Sequence, residues 1–297
     1  MVPREVLPGR FYMITRRCAQ RMFLLRPDEA TVRAYLYCLI EAAQRYGIEI
    51  LTSTMMSNHH HTIIFDRDGR IVEFVEHFHK MLAQCLNRYR GRSENFWSSY
   101  GLSMVHLVDR ADVIDKLIYV AGNPVKDGLV ERVHHWPGFN GLNALMTGHT
   151  IHATRPRFYF RVNGKMPAEV SMRFALPQEL SNHEEALQRL QDGVAELESS
   201  QAEMRARTGK RVLGRRRVLR QSWRDAPTSQ KSVSDINPRV AARDKWSRIE
   251  ALGRSKVFQH AYRKAREALL AGSPIPFPPG TYWLRRFAGV PVASPNY

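Results

Sequence analysis

Three consecutive histidines, His59-His60-His61, sit inside an apolar run bounded by Met55-Met56 and Ile63-Ile64-Phe65. On a strand, residues two apart share a face, so His59 and His61 project together and His60 points away. Two imidazoles at that spacing can hold one divalent cation, histidine being the commonest metal ligand. The triplet lies mid-chain among strand formers, which excludes a purification tag. The plain alternative is a set of packed or surface histidines. A second constellation is Tyr119-Val-Ala-Gly-Asn123-Pro124-Val-Lys126-Asp-Gly128-Leu-Val130. On a helix Tyr119 and Asn123 stand four residues apart and share a face. A tyrosine there can be a nucleophile, and an amide oxygen one turn on can complete a metal site. A core tyrosine before an ordinary Asn-Pro helix stop reads the same way.

The elements around these residues follow from pattern. Arg10–Arg16, rich in aromatic and β-branched residues, reads as a strand after a turn at Gly9. Val32, Leu36, Leu39, Ile40 and Ala43 recur at helical steps over Asp28–Tyr46, and Gly47 stops that helix. Glu49–Met56 and His59–Phe65 read as a hairpin bent at Ser57-Asn58. Phe74, Phe78, Met81, Leu82, Cys85, Leu86 and Tyr89 form one apolar stripe of a long helix, with Lys80, Arg88, Arg90 and Arg92 largely off it. Ser103–Val108 is a further strand. Asp109 and Asp112 resemble a capping box opening a helix from Arg110 to about Gly122, which Pro124 should end. The order implies an α+β architecture: an antiparallel four- to five-stranded sheet with helices packed on one face.

The texture changes near residue 150, which divides the chain into a first region, 1–150, and a basic, mainly helical region, 151–297. Arg155–Val162 reads as one more strand and Asn182–Arg207 as a polar helix. Arg205–Arg224 holds nine Lys or Arg and no acid. Asp225–Pro238 reads as a linker and Arg239–Ala271 as a basic helix. A Pro-rich Ser273–Gly280 follows, then an aromatic tail with Tyr282, Trp283 and Phe287.

Taken together, three separated motifs resemble the HUH single-strand endonucleases, and more narrowly the REP-associated group of single-tyrosine transposases. They are Gly9-Arg10-Phe-Tyr12-Met-Ile-Thr15-Arg16, Met56-Ser-Asn58-His59-His60-His61 and the Tyr119–Val130 segment. The match spans about residues 8–142. His60 departs from the pattern, whose middle position is normally bulky and hydrophobic. The resemblance implies a ferredoxin- or RRM-like sheet. It also implies cleavage of single-stranded DNA near a hairpin, through a 5′-phosphotyrosine and a free 3′-hydroxyl. On that resemblance Tyr119 is the nucleophile, and His59, His61 and Asn123 bind Mg²⁺ or Mn²⁺. A phenol of ordinary pKa near 10 needs such help, since at neutral pH it is a weak nucleophile. With Asn123 one turn after Tyr119, only one tyrosine is available for attack.

Composition agrees with a polyanion partner. Across 297 residues, 45 Lys and Arg stand against 28 Asp and Glu, a formal charge of +17. Binding of single-stranded DNA combines a basic groove with aromatic platforms. Candidate contacts are Arg10, Tyr12, Arg16 and Arg17 near the first strand, Lys80, Arg88 and Arg90 on the long helix, and Lys126 beside the Tyr119 motif. In the dense basic run they are Lys210, Arg211, Arg215, Arg216, Arg217 and Arg220. That run would neutralise several phosphates and make binding steeply salt-dependent. Phe96, Trp97 and Tyr100 are candidate stacking platforms.

No run approaches the roughly 18 apolar residues of a membrane span, and the first residues do not form a secretory signal, so no membrane partner is expected. Three scattered cysteines, Cys18, Cys38 and Cys85, fit neither a disulfide framework nor a zinc ribbon. The expected setting is the bacterial cytoplasm, in association with the nucleoid, as a monomer or homodimer with the monomer preferred. Two other readings compete. One is a host-adapted protein that binds DNA hairpins without catalysis. The other is a zinc-binding regulator, for which no cysteine lies near the histidines.

Overall fold

The chain was described from a computed structural model, which covers residues 3–229 and 238–294. Met1 and Val2 at the start of the N-terminal stretch, and 230–237 of the expected linker, lie outside the described residues.

β1 (Arg10–Arg17), β2 (Ile48–Met55), β3 (His59–Asp66) and β4 (Ser103–Leu107) pair antiparallel in the order β2-β3-β1-β4. In the β1–β3 register Thr15 lies opposite His61, Arg16 opposite His60 and Arg17 opposite His59. Between β1 and β2 runs α1 (Glu29–Tyr46), whose Asp28 cap accepts the Thr31 amide at 2.9 Å. Gly47 closes it at φ +66, a left-handed conformation glycine adopts without strain. α2 (Ile71–Arg90) buries Phe74, Phe78, Met81, Leu82, Cys85 and Leu86. Burial of each such large apolar side chain contributes roughly 1.5–3 kcal/mol. The stripe ends one turn earlier than its pattern implied, since Tyr89 is exposed and stands beside Phe158.

α3 (Arg110–Lys126) opens on the expected Asp109/Asp112 capping box but does not stop at Pro124. The proline forfeits only its own N–H. The helix closes past it, with Asp127 donating to the Asn123 carbonyl and Leu129 to the Pro124 carbonyl, each at 3.0 Å. Asn123 is therefore a full helical residue one turn from Tyr119.

Strand alternation and ring contacts assign the faces. His60 meets Tyr35 of α1 and Phe78 of α2, whereas His61 meets Tyr119 of α3. The helices are thus divided: α1 and α2 cover one face, as expected, and α3 lies on the other. The reason is the hydrophobicity of both faces of β2 and β3, which read as near-continuous buried strands.

After α4 (Leu142–Thr147), β5 (Thr150–Thr154) and β6 (Glu169–Arg173) form a small hairpin. The strand expected at Arg155–Val162 is a loop instead. Pro156 lacks a donor, and the Arg155 guanidinium gathers the carbonyls of Val162, Gly164 and Met166 around itself. α5 (His183–Thr208) lies along α3, where Gly122 faces Leu197 and Gly193 faces Ile118 with no room for a Cβ on either glycine.

α6 (Arg215–Arg220) belongs to the dense basic run, which is not a free tail. Leu213 and Gly214 donate to the carbonyls of Gly128 and Leu129, each at 2.9 Å, and Val218 is buried. β7 (Val240–Ala241) then joins β4 as a parallel fifth strand, followed by α7 (Lys245–Leu270) and α8 (Trp283–Ala288). One core continues from β1 through α5 to Val218, with a smaller cluster at Ala265, Phe277 and Val290. Among the described residues no helix is long and apolar enough to cross a membrane.

Candidate active site

β3 and α3 bring His59, His61, Tyr119 and Asn123 together. The His59 and His61 rings lie 4.8 Å apart between centroids, and His61 meets the Tyr119 ring edge-on at 5.5 Å. Each imidazole is held by its Nδ1. His59 Nδ1 is 2.7 Å from Asn58 Oδ1, and His61 Nδ1 is 2.7 Å from Thr15 Oγ1 across the β1–β3 pair. An amide oxygen only accepts, so His59 carries its proton on Nδ1 and leaves Nε2 as a lone pair. Asn123 Nδ2 lies 3.5 Å from His61 Nε2, which casts that nitrogen also as an acceptor.

Burial, with Arg17 adding to it, lowers the His59 pKa to about 4. Burial also holds His61 well below its ordinary value, helped by His59, His60 and Arg17. Both imidazoles are therefore neutral near pH 7, the form that ligates a metal. Asn123 Oδ1 is buried and lacks a hydrogen-bond partner. A half-turn of that amide would set Oδ1 beside His61 Nε2, two acceptors that a cation reconciles. Among the described residues no three His, Cys, Asp or Glu side chains gather as a metal site. A cation here would rest on two imidazoles and an amide oxygen, and the orphaned oxygen and the oriented rings fit one.

Tyr119 is not activated by its surroundings alone. Burial raises its pKa and Asp127 adds to the rise, while Asn123 and Arg17 pull the other way. Two ammonium groups flank the ring, Lys126 at 4.9 Å and Lys116 at 5.7 Å from its centroid.

A cleft of about 880 Å³ opens beside His59. Arg17, Arg21, His59 and Asp127 line one side. Gln221 of the basic run and Asp225–Ser229 just after it complete the lining. Phe23 donates to the Asp225 carbonyl at 2.9 Å, and Arg21 donates to the Ser229 carbonyl at 2.6 Å. Gln20 and Arg21 hold left-handed backbone, φ +51 and +61, strain of the kind that clusters at functional sites.

No protein-family model matches the chain, and no curated protein matches it. Among solved structures the chain is similar to a REP-associated tyrosine transposase bound to a REP hairpin. The two share 18% identity and a TM-score of 0.42, over 57% of this chain and 92% of that one. A likeness at that level assigns no residue a role.

The candidate DNA contacts are scattered around the molecule. Arg17 lines the cleft beside His59, and Lys126 stands over the Tyr119 ring. Arg10, Tyr12 and Arg16 point to the opposite face of the sheet: Arg10 pairs with Glu5, Tyr12 lies buried beside His106, and Arg16 rests over Trp97. Lys80 and Arg88 are exposed on α2. Arg90 turns inward, donating to the Leu24 carbonyl and the Thr31 hydroxyl at 2.9 Å each, with Asp28 at 3.4 Å. Lys210, Arg211, Arg215, Arg216, Arg217 and Arg220 are all exposed. Of the candidate platforms, Phe96 and Trp97 are buried and Tyr100 is exposed. Thr15, Arg21 and the Gln221–Ser229 wall escaped the sequence reading. The β1–β3 register would have found Thr15. The wall is attached through the Phe23–Asp225 backbone bond and the Arg21 side chain on Ser229, contacts more than 200 residues apart that no local pattern marks.

Proposed function

We propose that the chain is a metal-dependent single-stranded DNA endonuclease and strand transferase that cuts near a hairpin through Tyr119. The observation that supports it is the contact cluster of Tyr119, the two oriented neutral imidazoles and the unpartnered Asn123 oxygen, with His59 at the edge of the cleft. Mg²⁺ or Mn²⁺ held by His59, His61 and Asn123 would polarise the scissile phosphate and leave positions for phosphate oxygens and water. Thr15 and Asn58 keep the two rings aimed. Arg17 supplies positive charge for the incoming strand. Tyr119 Oη forms the new bond to phosphorus and gives up its proton, while the bond from phosphorus to the 3′ oxygen breaks and that oxygen leaves as a protonated hydroxyl. Lys126 and Lys116 favour the phenolate charge that develops on Tyr119. The neighbouring Gln221–Ser229 wall would confine an extended strand to the cleft.

The raised pKa of Tyr119 favours a second reading, hairpin binding without cleavage. A panel of labelled single-stranded hairpin oligonucleotides, incubated with Mg²⁺ or Mn²⁺, separates the two. The nuclease reading expects a denaturation-resistant protein–DNA adduct from the wild type and none from Tyr119→Phe. Hairpin binding in a gel shift with no adduct across the panel favours the second reading. An adduct that persists in Tyr119→Phe removes this tyrosine as the nucleophile.

A further inference from the structure

On the far side of the sheet from His59 and His61, a pocket of about 50 Å³ lies between the N-terminal segment, β1, β4, β7 and α7. Tyr12 and His106 form part of its lining, their rings 5.8 Å apart, and Arg4, Arg10, Arg239 and Arg254 surround them. Glu5 is the one carboxylate in the lining, and it pairs with Arg10 at 2.5 Å. Arg254 has Glu250 at 3.5 Å, one turn back on α7. Arg4 donates to the Met104 carbonyl at 2.6 Å, which fixes the guanidinium without neutralising its charge. Tyr12 is 5% exposed, and its buried hydroxyl finds no acceptor for its proton, since the Arg10 guanidinium beside it can only donate. An orphaned buried donor costs about 1–3 kcal/mol, so such groups call for an explanation.

The cations also sense one another. Burial lowers the Arg4 pKa, and Arg239 lowers it further. Burial takes His106 down to about 3, with Arg10 and Arg254 contributing. An anion placed among these groups would relieve the repulsion and accept from the Tyr12 hydroxyl. The guanidinium fork matches tetrahedral oxyanions, and a cavity this small admits one such group rather than a sugar or a base.

We propose that this pocket binds a single phosphate-class oxyanion, either free inorganic phosphate or one phosphodiester of a nucleic acid, between Arg4, Arg254 and the Tyr12 hydroxyl. Residues from both halves of the chain complete the site. It stands independently of any chemistry at Tyr119, so a Tyr119→Phe protein should bind phosphate unchanged.

The test measures thermal stability of the full chain against inorganic phosphate, with chloride at matched ionic strength as the control. Wild type should show a saturable rise in Tm. Arg254→Gln, at an exposed position, should fold normally and lose most of that rise. Tyr12→Phe should equal or exceed the wild-type Tm without phosphate, because the orphaned hydroxyl is gone, yet bind phosphate about tenfold more weakly. A non-saturable rise, or one of equal size in both variants, overturns the proposal and leaves only screening of a cation cluster. A short single-stranded oligonucleotide that competes with phosphate assigns the oxyanion to a phosphodiester. Phosphate binding without such competition assigns it to free phosphate.

Discussion

The two faces of β3 put the same side chain to opposite uses. On the α3 face, His59 and His61 each tie up Nδ1; His59 lines the solvent cleft, and His61 Nε2 faces Asn123. On the α1/α2 face, His60 and His79 spend their Nε2 atoms on each other at 2.9 Å, walled in by Tyr35, Phe78 and Trp97. The difference teaches that which nitrogen is engaged, rather than burial alone, separates an imidazole with a nitrogen left to offer from a strut. All four imidazoles are held neutral by burial. Only the first pair leaves Nε2 unspent on another imidazole; in the second, His79 Nδ1 is unpartnered but sealed in the core.

The largest expected effect tests the open pair. His59→Ala should lower metal-dependent cleavage of a hairpin oligonucleotide about a thousandfold, roughly 4 kcal/mol of transition-state stabilisation, while unfolding free energy moves by about 1 kcal/mol or less. His60→Ala should behave in the opposite sense. It empties a sealed site and strips His79 Nε2 of its partner, costing about 3 kcal/mol in urea unfolding. If His60→Ala abolished cleavage with stability intact, the assignment of faces would be reversed.

A smaller effect concerns pH. Burial, with His59 and Arg16 adding to it, lowers the His60 pKa to about 3. In the unfolded chain an imidazole takes its proton near pH 6.5. Between those values the unfolded state binds the extra proton, so the stability contribution is complete above about pH 6.5 and is lost as pH falls toward 3. From pH 7 to pH 5 one such imidazole should cost about 2 kcal/mol, and His60→Phe should flatten that part of the urea-midpoint profile. An unchanged slope in His60→Phe would remove His60 from the account.

Much of this contrast was legible in the chain itself. Strand alternation alone places His59 with His61 and sends His60 away, and helical spacing alone joins Tyr119 to Asn123. His79 was hidden because it lies 19 residues from His60, on the polar shoulder of an apolar stripe, and only the packing of α2 on the sheet joins them. The split of helices between the two faces was hidden because periodicity shows how apolar a strand is, not which helix covers it. The end of α3 was misread because Pro124 removes a single hydrogen bond and the backbone beyond it supplies replacements. The docking of the basic run was invisible for a related reason. Its hydrogen-bonded attachments at Gly128 and Leu129 are peptide groups, which every residue possesses, and its Val218 and Trp223 contacts reach partners remote in sequence.

The smallest effect sharpens the comparison at two adjacent arginines. Arg16 and Arg17 carry the same charge in neighbouring positions of β1, and the resemblance prefers Arg16, with Arg10 and Tyr12, as the DNA contact because it belongs to the N-terminal motif. The pleat sends them to opposite faces. Arg17 is exposed at the cleft beside His59, whereas Arg16 is half-buried, its Nε unpartnered and its guanidinium 5.6 Å from the Trp97 ring centroid. A cleft arginine that meets a backbone phosphate releases a counterion, so Arg17→Gln should weaken single-stranded DNA binding a fewfold and reduce the salt slope by about 0.7. Arg16→Gln should leave that slope unchanged and cost about 1 kcal/mol of stability, through lost stacking on Trp97. Fluorescence anisotropy across a salt series, paired with urea unfolding, reads both quantities. If Arg16→Gln flattened the salt slope instead, the nucleic-acid path would run over the α1/α2 face, and the open histidine pair would no longer mark where the strand lies.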